Sequence, residues 1–365
     1  MAQAIVLALL FFLPYVVLPI GVTPFETPKV FIAELLIAAL VIVCVTTMPL
    51  KKLVRKNIFP LLLFLLFLFS LFHLFLHPTS ISFFGNQFRM QGVFLLWLLL
   101  ALAFVSTEAR LKKMPVWTIT LFLTVHLLAA IFITTTRDGR AVGTLGEPNA
   151  LAAVAIFLWP FLWKSRKESR VSAVLQIVSM LLVVSLIYIS GSRSAMTAFV
   201  IQNIFLLLGF SRFLALGKAV IIVLLLFAAT LFLPAVIERQ TVYENRVEIW
   251  QTALLAGYER PFVGWGFGNT EVALKEYNQK LYTRLRGYYV DSSHNVFLDF
   301  WVQGGFIGLS SLVVLIYCAF RIYTRQKDII KLCLLLGLLA VMSFNPVSVV
   351  TSVQFWWLIG QVSKT

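Results

Sequence analysis

The sequence predicts an all-α polytopic membrane protein, and two observations support this. Hydrophobic residues make up 60% of the 365 residues and charged residues only 12%, whereas a soluble domain carries roughly a quarter charged residues. Apolar runs long enough to cross a bilayer as a helix, about 20 residues each, recur along the chain. Each run is expected to be helical, because lipid offers an open backbone no hydrogen-bond partner.

Twelve apolar runs are candidate transmembrane helices of one polytopic domain that covers residues 1–365. The first run has no Lys or Arg before it, so we expect a retained span rather than a signal peptide. Only Asn345 and Pro346 separate the last two runs. The runs are approximately 3–22, 29–48, 58–76, 92–108, 116–135, 149–163, 171–190, 194–210, 219–236, 294–318, 329–345 and 347–361.

Basic residues predict the orientation of these spans. Alternate connections hold eighteen Lys and Arg residues on one side, whereas the short connections on the other side hold five. Because cytoplasmic loops carry the excess of Lys and Arg, both termini are expected to be cytoplasmic. The long connection 237–293 is then external, and its seven acids balance its seven bases. A loop of this length with glycine and aromatic residues is typical of a functional segment such as a lid.

Composition excludes several classes of protein. The net charge of +15 does not indicate nucleic-acid binding, because the basic residues form short clusters between apolar runs. Cys44, Cys318 and Cys333 lie in or beside apolar runs and predict no disulfide framework. The sequence has no Walker loop, and no paired acids on the predicted external side would hold a divalent ion. We therefore expect neither a metal nor a cofactor.

His294 is the candidate catalytic residue, at the start of the string HNVFLDF. Ser292 or Ser293 is expected to cap the tenth span and to place His294 in its first turn. The helix dipole disfavours the imidazolium there, and a neutral imidazole is what a general base requires. A purely interfacial polar role is the alternative.

Arg193 is a candidate phosphate-binding residue in the string GSRSA, residues 191–195. A tight turn precedes a helix that Ser192 or Ser194 can cap. Arg193 is then held beside a helix N-terminus, and a guanidinium together with helix N–H groups suits a phosphate. A solvated interfacial arginine is the alternative.

Arg246 is a second candidate, on a helix predicted within the long loop. Capping boxes at Thr241 or Asn245 would begin this helix, and Arg246 lies in its early turns. A pair with a neighbouring acid is the alternative role. Three glycines after the helix, Gly264, Gly266 and Gly268, would let the backbone pass close to another segment. The apolar stripe expected to face the core is Val247, Trp250, Leu254 and Leu255.

The external loop 135–150 and the remaining polar residues supply further candidates. Arg137 and Arg140 are two more cations for a donor phosphate, and Asn149 could contact hydroxyl groups. Asn295 and Asp299 are candidate supporting residues for His294. Asp299 lies at membrane depth, where it would orient the site from below or pair with an interior cation.

Two other histidines have metal-compatible spacing. His73 and His77 are separated by one helical turn, but nothing nearby in the sequence supplies a third ligand. An interfacial role is therefore expected for both. His126 lies mid-span and is either a buried functional group or a hydrogen-bonded group of the bundle.

The order of these strings resembles the O-antigen ligase and polymerase superfamily. The resemblance is strongest over residues 143–310, in GTLGEPNALAA, SGSRSA, NRVEIWQTAL with PFVGWGFGN, and SSHNVFLDFWVQGGFIGL; TPFETPKV and FGNQFRMQG also match. It implies a GT-C-type membrane glycosyltransferase that works outside the plasma membrane without metal or nucleotide sugar. The implied donor is a glycan on undecaprenyl diphosphate.

The resemblance also implies residue roles. Arg193 and Arg246 match the family's two loop arginines, and His294 matches its catalytic histidine. The arginines would bind the diphosphate, and His294 would take the proton of an acceptor hydroxyl that attacks with inversion. The family often has an acidic residue at the position of Gln303 or Gly304. This chain has none there, so we expect no catalytic carboxylate at that turn.

Three alternatives remain open on the sequence. A polymerase would use the same donor and chemistry but a lipid-linked glycan as acceptor, and a protein-glycosylating relative would use a Ser or Thr hydroxyl. A ligase for a lipid or cell-surface acceptor is preferred because the chain has one sizeable external loop. A flippase for lipid-linked sugar predicts charged groups through the bilayer, and the spans hold few, such as Glu34, His126 and Asp299.

Overall fold

The computed structural model describes residues 1–47, 58–106, 115–133, 139–164, 170–210, 246–278 and 290–362. Regular structure in these ranges is helical, which confirms the all-α prediction. The helices are α1 Ala2–Leu7, extended by short turns to Tyr15, α2 Glu26–Thr47, α3 Ile58–Leu76, α4 Ser80–Phe84, α5 Val93–Val105, α6 Val116–Phe132, α7 Pro148–Lys164, α8 Arg170–Ser190, α9 Arg193–Phe210, α10 Arg246–Glu259, α11 Thr270–Tyr277, α12 Val296–Arg325, α13 Ile329–Met342 and α14 Val349–Gly360.

Several of these helices suit a membrane. Four are long and apolar enough to cross one, namely α2, α3, α8 and α12. Seven shorter apolar helices coincide with the other predicted runs, except the run 219–236, which lies outside the described residues. The chain is therefore a membrane protein rich in apolar helices, as its composition predicts.

The chain divides into two compact units. The first contains residues Met1–Arg110, Thr241–Ile322 and Met342–Thr365. In this unit α14 packs against α2 and α5, and every residue of α14 is buried. The polar residues Thr351, Ser352 and Gln354 are buried together with its apolar residues. Gly360 allows this packing, because a Cβ there would lie 2.0 Å from the Ala103 carbonyl oxygen.

Helices α10 and α11 form a small core with the start of α12. The buried members of this core are Ile249, Ala253, Ala256, Trp265, Ala273, Leu274, Val290 and Val302. Gly257 lets α10 approach closely, because a Cβ there would meet the Trp301 indole at 2.0 Å. The indole N–H of Trp265 donates to the Ala256 carbonyl at 2.7 Å.

The apolar stripe predicted for α10 is wrong. Val247, Leu254 and Leu255 are 59%, 42% and 50% exposed, whereas the buried face consists of small residues such as Ala253 and Ala256. The bulky indoles of Trp265 and Trp301 lie against Ala256 and Gly257, so only small side chains fit at those two positions. In a membrane protein the larger apolar side chains can face lipid instead.

The second unit contains residues Leu111–Gln240 and Tyr323–Val341. Helix α8 packs against α6 and α7, and α9 packs against α7. Gln202 of α9 donates from its amide to the Ile156 carbonyl of α7 and the Cys333 carbonyl of α13, each at 3.1 Å. This buried amide joins three helices, where an interhelical hydrogen bond stabilises packing in lipid.

Candidate functional site

His294 lies on a tight turn immediately before α12. The predicted cap was wrong, because the helix begins two residues later, at Val296, with Asn295 as its cap. The Asn295 side-chain oxygen accepts the N–H groups of Phe297 and Leu298 at 2.9 and 3.3 Å. Asn satisfies otherwise unpaired helix N–H groups as well as serine does. His294 therefore precedes the first turn of the helix.

The backbone of His294 is held in an uncommon conformation. Its φ is +58°, a left-handed value that non-glycine residues seldom adopt. The Ser292 hydroxyl accepts the His294 N–H at 3.2 Å, and the side chain of His294 is 1% exposed. Strained, buried residues of this kind cluster at functional sites, so the turn is the strongest candidate site in this unit.

Asp299 reaches back from the first turns of α12 to hold this turn. Its carboxylate oxygen accepts the Ser293 N–H at 2.8 Å, and the Ser293 hydroxyl donates to the Asn295 carbonyl at 2.9 Å. Asp299 therefore contacts the turn through the Ser293 backbone.

An ion pair lies at the N-terminal end of the His294 turn. Arg89 donates from Nε to the Asp291 carboxylate at 2.5 Å. Glu26 of α2 lies close enough to both residues to interact electrostatically, and its carboxylate accepts the Val349 N–H at 2.6 Å. The sequence analysis did not single out Arg89 or Asp291. The string FGNQFRMQG contained Arg89, but no spacing connected it to an acid 202 residues away.

The glycine-rich segment after α10 docks on a break in α12. Gly305 has φ +56° and interrupts the helix. The carbonyls of Val302 and Gln303 then accept the N–H groups of Trp265 and Gly266 at 2.8 and 2.9 Å. Such a break leaves helix carbonyls for another segment to satisfy.

The contact is reciprocal and leaves no room for side chains. The N–H of Phe306 donates to the Pro261 carbonyl at 2.6 Å. A Cβ at Gly264 would lie 2.5 Å from the backbone of Gln303, and one at Gly305 would lie 2.6 Å from the backbone of Phe262. The prediction that these glycines permit a close backbone approach is confirmed for Gly264.

Two adjoining cavities border the histidine turn. The smaller, about 40 Å³, is lined by polar side chains that include Arg89, Asp291 and Ser292. The larger, about 90 Å³, lies between α5, α12 and α14. Gln91, Asp299 and Gln303 line both cavities.

In the second unit, Arg193 is the first residue of α9 and is exposed. Ser192 precedes it and accepts the Ala195 N–H at 3.4 Å, which confirms the predicted serine cap. Gly191 makes the preceding turn with φ +55°. Arg193 thus lies at a helix N-terminus, where an anion is stabilised by the N–H groups and the helix dipole.

Arg140 has two contacts within the second unit. Its Nε donates to the Ser190 carbonyl at 2.8 Å and its Nη2 donates to the Asn149 side-chain oxygen at 3.0 Å. These bonds fix the loop before α7 against the end of α8. Arg137, the neighbouring candidate, lies outside the described residues.

The candidate residues fall into the two units as follows. His294, Asn295, Asp299 and Arg246 belong to the first unit, and Arg246 is the first residue of α10. Arg193, Arg140 and Asn149 belong to the second. The capping residues proposed for α10, Thr241 and Asn245, lie outside the described residues.

His73 and His77 lie near the glycine-rich segment. The His73 ring packs edge-on against Phe69, with ring centroids 4.8 Å apart, and His73 is 1% exposed. The segment around Gly266 and Phe267 covers this ring. Within the described ranges, no three His, Cys, Asp or Glu residues are grouped to hold a metal ion.

These features define a class of protein. The chain is a helical membrane protein in which a strained histidine turn, an ion pair and a polar cavity occupy the end of an apolar helix. Buried polar groups held in a strained backbone cluster at functional sites. The class indicated is a membrane enzyme or binding protein.

Comparison with known proteins identifies one family model and two relatives that the chain is similar to. Residues 177–313 match the family model described as O-antigen ligase, and this segment contains Arg193, Arg246 and His294. A ComP-specific O-oligosaccharyltransferase of Acinetobacter baylyi is 27% identical over 206 residues, which is 52% of this chain and 37% of that protein. A general O-oligosaccharyltransferase of the same organism is 29% identical over 106 residues, 28% of this chain and 18% of that protein.

The comparisons confirm the resemblance predicted from the motifs: the chain is similar to the O-antigen ligase superfamily over residues 177–313. The matched region spans little more than a third of the first relative and less than a fifth of the second. Both relatives are glycosyltransferases by name.

Proposed function

We propose that the chain is an O-antigen ligase-like glycosyltransferase that transfers a glycan from undecaprenyl diphosphate to an acceptor hydroxyl. The acceptor is lipid A-core or another cell-surface molecule, and the reaction takes place at the external face of the plasma membrane, in a bundle of about twelve spans with GT-C-like architecture. The observation that carries the proposal is the buried, left-handed His294 turn within the segment that matches the O-antigen ligase family.

His294 is the general base in this proposal. It removes the proton from the acceptor hydroxyl while that oxygen attacks the anomeric carbon and the sugar–phosphate bond breaks. The electron pair leaves with the diphosphate, and the sugar is inverted. Diphosphate is a good leaving group, so the reaction requires no strong general acid. Asp299 is a positioning residue, because its carboxylate holds the turn that precedes α12.

Arg193 and Arg246 bind the diphosphate in this proposal. Arg193 is the first residue of a helix, where anions are favoured, and Arg246 is the first described residue of α10. Their guanidinium groups stabilise the charge that builds on the leaving diphosphate. Arg140 is a weaker candidate, because two of its nitrogen atoms already bind Ser190 and Asn149.

A protein hydroxyl is the second candidate acceptor. The specific observation that favours it is that both Acinetobacter relatives are named O-oligosaccharyltransferases, one of them ComP-specific. A polysaccharide polymerase with the same donor is the third candidate. The chemistry at His294 is identical in all three.

The test is glycan transfer by purified protein. An undecaprenyl-diphosphate glycan is supplied with a lipid A-core acceptor, a second lipid-linked glycan or a serine-containing peptide, and the product is identified by mass. We expect His294→Ala to lower the transfer rate about 10²–10⁴-fold. His77→Ala is the matched control and is expected to transfer at the parental rate. Parental activity in His294→Ala would eliminate the general-base assignment.

A further inference from the structure

We infer that the two cavities beside the His294 turn form a saccharide-binding site for the acceptor. This inference rests on the proposed function, since it assigns the second substrate of the same reaction. The cavities adjoin through Gln91, Asp299 and Gln303, which line both of them. Together they present a polar wall and an apolar wall to one ligand.

The smaller cavity suits hydroxyl groups rather than a phosphate. It has two carboxylates, Asp291 and Asp299, for one guanidinium, Arg89, and that guanidinium is already paired with Asp291. Its charge is therefore unfavourable for a diphosphate. Carboxylates, amides and hydroxyls together bind groups that both donate and accept hydrogen bonds, as sugar hydroxyls do.

The larger cavity supplies the apolar wall. Leu95 and Leu99 of α5, Phe300 of α12 and Phe355 of α14 are among the residues that line it. A pyranose ring carries C–H groups on its face and hydroxyls at its rim. An apolar surface beside a few placed polar groups is the usual form of a small-molecule site, and here it matches the two sides of a sugar.

Two amides are oriented by the protein before any ligand binds. Gln91 donates from Nε2 to the Val347 carbonyl at 2.7 Å, and Gln303 donates from Nε2 to the Thr270 hydroxyl at 2.7 Å. Each amide NH2 group donates a hydrogen bond to the protein, which fixes the orientation of the amide. Its carbonyl oxygen is then positioned to accept a hydrogen bond from a ligand hydroxyl. Thr270 accepts from Gln303, which directs its own O–H elsewhere.

The smaller cavity lies beside the turn that carries His294, where the acceptor hydroxyl has to bind in the proposed reaction. Ser292 lines the smaller cavity, and its hydroxyl accepts the backbone N–H of His294. A saccharide bound there lies beside the turn that carries the base. A serine side chain of a polypeptide offers a single hydroxyl and would leave most of these polar groups without a ligand contact, so a saccharide is the better fit.

The experiment replaces each amide by an apolar side chain. Gln91→Leu and Gln303→Leu are compared with Gln176→Leu, a matched control whose amide donates to the Leu162 carbonyl at 2.6 Å in the second unit. We measure KM for a soluble oligosaccharide acceptor, KM for a serine-containing peptide acceptor, and Kd for the undecaprenyl-diphosphate glycan. Thermal melting establishes that each variant is folded.

We expect each cavity variant to raise the saccharide KM by about fivefold to tenfold, the effect of one hydrogen bond. Donor Kd should be unchanged, and Gln176→Leu should match the parental protein in both constants. An unchanged saccharide KM in both folded cavity variants overturns the inference. An equal rise in the peptide KM also overturns it, because the cavities would then not select a saccharide.

A second experiment tests the cavities independently of the proposed glycosyltransferase activity. If the parental protein transfers to no acceptor, the cavities are tested without turnover, by saturation-transfer NMR of the oligosaccharide against donor-free protein. Binding by the parental protein that weakens in Gln303→Leu supports the site. Absence of parental binding overturns it.

Discussion

Asp299 shows how a single carboxylate can organise the candidate site. Its oxygen accepts the Ser293 N–H at 2.8 Å, one residue before His294. Because Asp299 touches no reacting atom in the proposed chemistry, it acts by holding the turn. An asparagine has an oxygen at the same place and can accept the same hydrogen bond.

We therefore expect Asp299→Ala to lower kcat on the order of tenfold, the effect of losing one hydrogen bond to a charged group. Asp299→Asn should recover most of the activity. The measurement is kcat and KM for both variants with saturating donor. Equal losses in the two variants would mean that the negative charge, rather than the hydrogen bond, is what matters.

Arg140 illustrates two competing roles for one residue. Its bonds to Ser190 and Asn149 fix a loop, whereas the sequence predicts a phosphate ligand. Arg140→Lys keeps the charge but loses the forked geometry. We expect it to lower stability by about 1 kcal/mol and to leave donor Kd unchanged, as measured by thermal melting and by titration. Asn149→Ala should produce a similar loss of stability that is not additive with Arg140→Lys. A weakened donor Kd with unchanged melting would support the phosphate role instead.

For single residues, the sequence predicts which side chains are functional candidates better than it predicts which side chains contact each other. His294 is recognisable because a histidine follows two serines before an apolar run. The Arg89–Asp291 pair is not, because the pairing depends on how distant segments meet. The cap of α12 is wrongly predicted because Ser292, Ser293 and Asn295 are all good caps, and only the backbone course selects among them.

At the scale of elements, the break at Gly305 sets where the long loop sits. Four backbone hydrogen bonds join residues 261–266 to residues 302–307, so α10 is attached directly to α12. The turn that carries His294 precedes α12, and Arg246 begins the described part of α10, so both residues adjoin elements that these hydrogen bonds connect within one unit.

Two adjacent glycines provide a matched test of this contact. Gly305→Ala would place a Cβ 2.6 Å from the Phe262 backbone at φ +56°, whereas a Cβ at Gly304 would lie 3.3 Å from the Phe69 ring. We expect Gly305→Ala to destabilise the protein by about 1–3 kcal/mol and Gly304→Ala to have a small effect, both measured by thermal melting in detergent. Equal melting temperatures would contradict the proposed importance of the break.

Helices were easier to predict than their buried faces. Apolar runs marked eleven helices of the described chain, because lipid imposes helical structure on any such run. The stripe on α10 failed for a physical reason. In water a bulky apolar residue turns inward, but beside a membrane it can equally face lipid. The close approach of Trp265 and Trp301 requires small residues at Ala256 and Gly257.

At the scale of the whole molecule, the distribution of Lys and Arg predicts that both termini are cytoplasmic. A green fluorescent protein fused after Thr365 should fluoresce. Alkaline phosphatase inserted between residues 279 and 289, within the connection that is predicted to be external, should be active, because that enzyme requires an oxidising compartment. The opposite pattern would reverse the orientation and move the proposed site to the cytoplasmic face.

The proposed reaction requires Arg193 and Arg246 to contact one ligand. A double-mutant cycle on donor Kd tests this, because residues that share a ligand give non-additive losses. We expect Arg193→Ala and Arg246→Ala each to weaken donor binding at least tenfold, with a coupling of roughly 0.5–3 kcal/mol. Strict additivity would indicate that the two guanidinium groups do not act on the same diphosphate.

The buried helix α14 has a consequence for how the protein is made. It packs against α2 and α5, which the ribosome synthesises more than 240 residues earlier, as their positions along the chain show. Domains generally assemble as their parts become available during synthesis. The second unit is nearly complete before α14 exists, but α2 and α5 must remain in the bilayer with an open flank until α14 arrives. During that interval the flanks of α2 and α5 that α14 later covers lack their partner helix, so the final packing of this unit depends on a helix that is synthesised well after them.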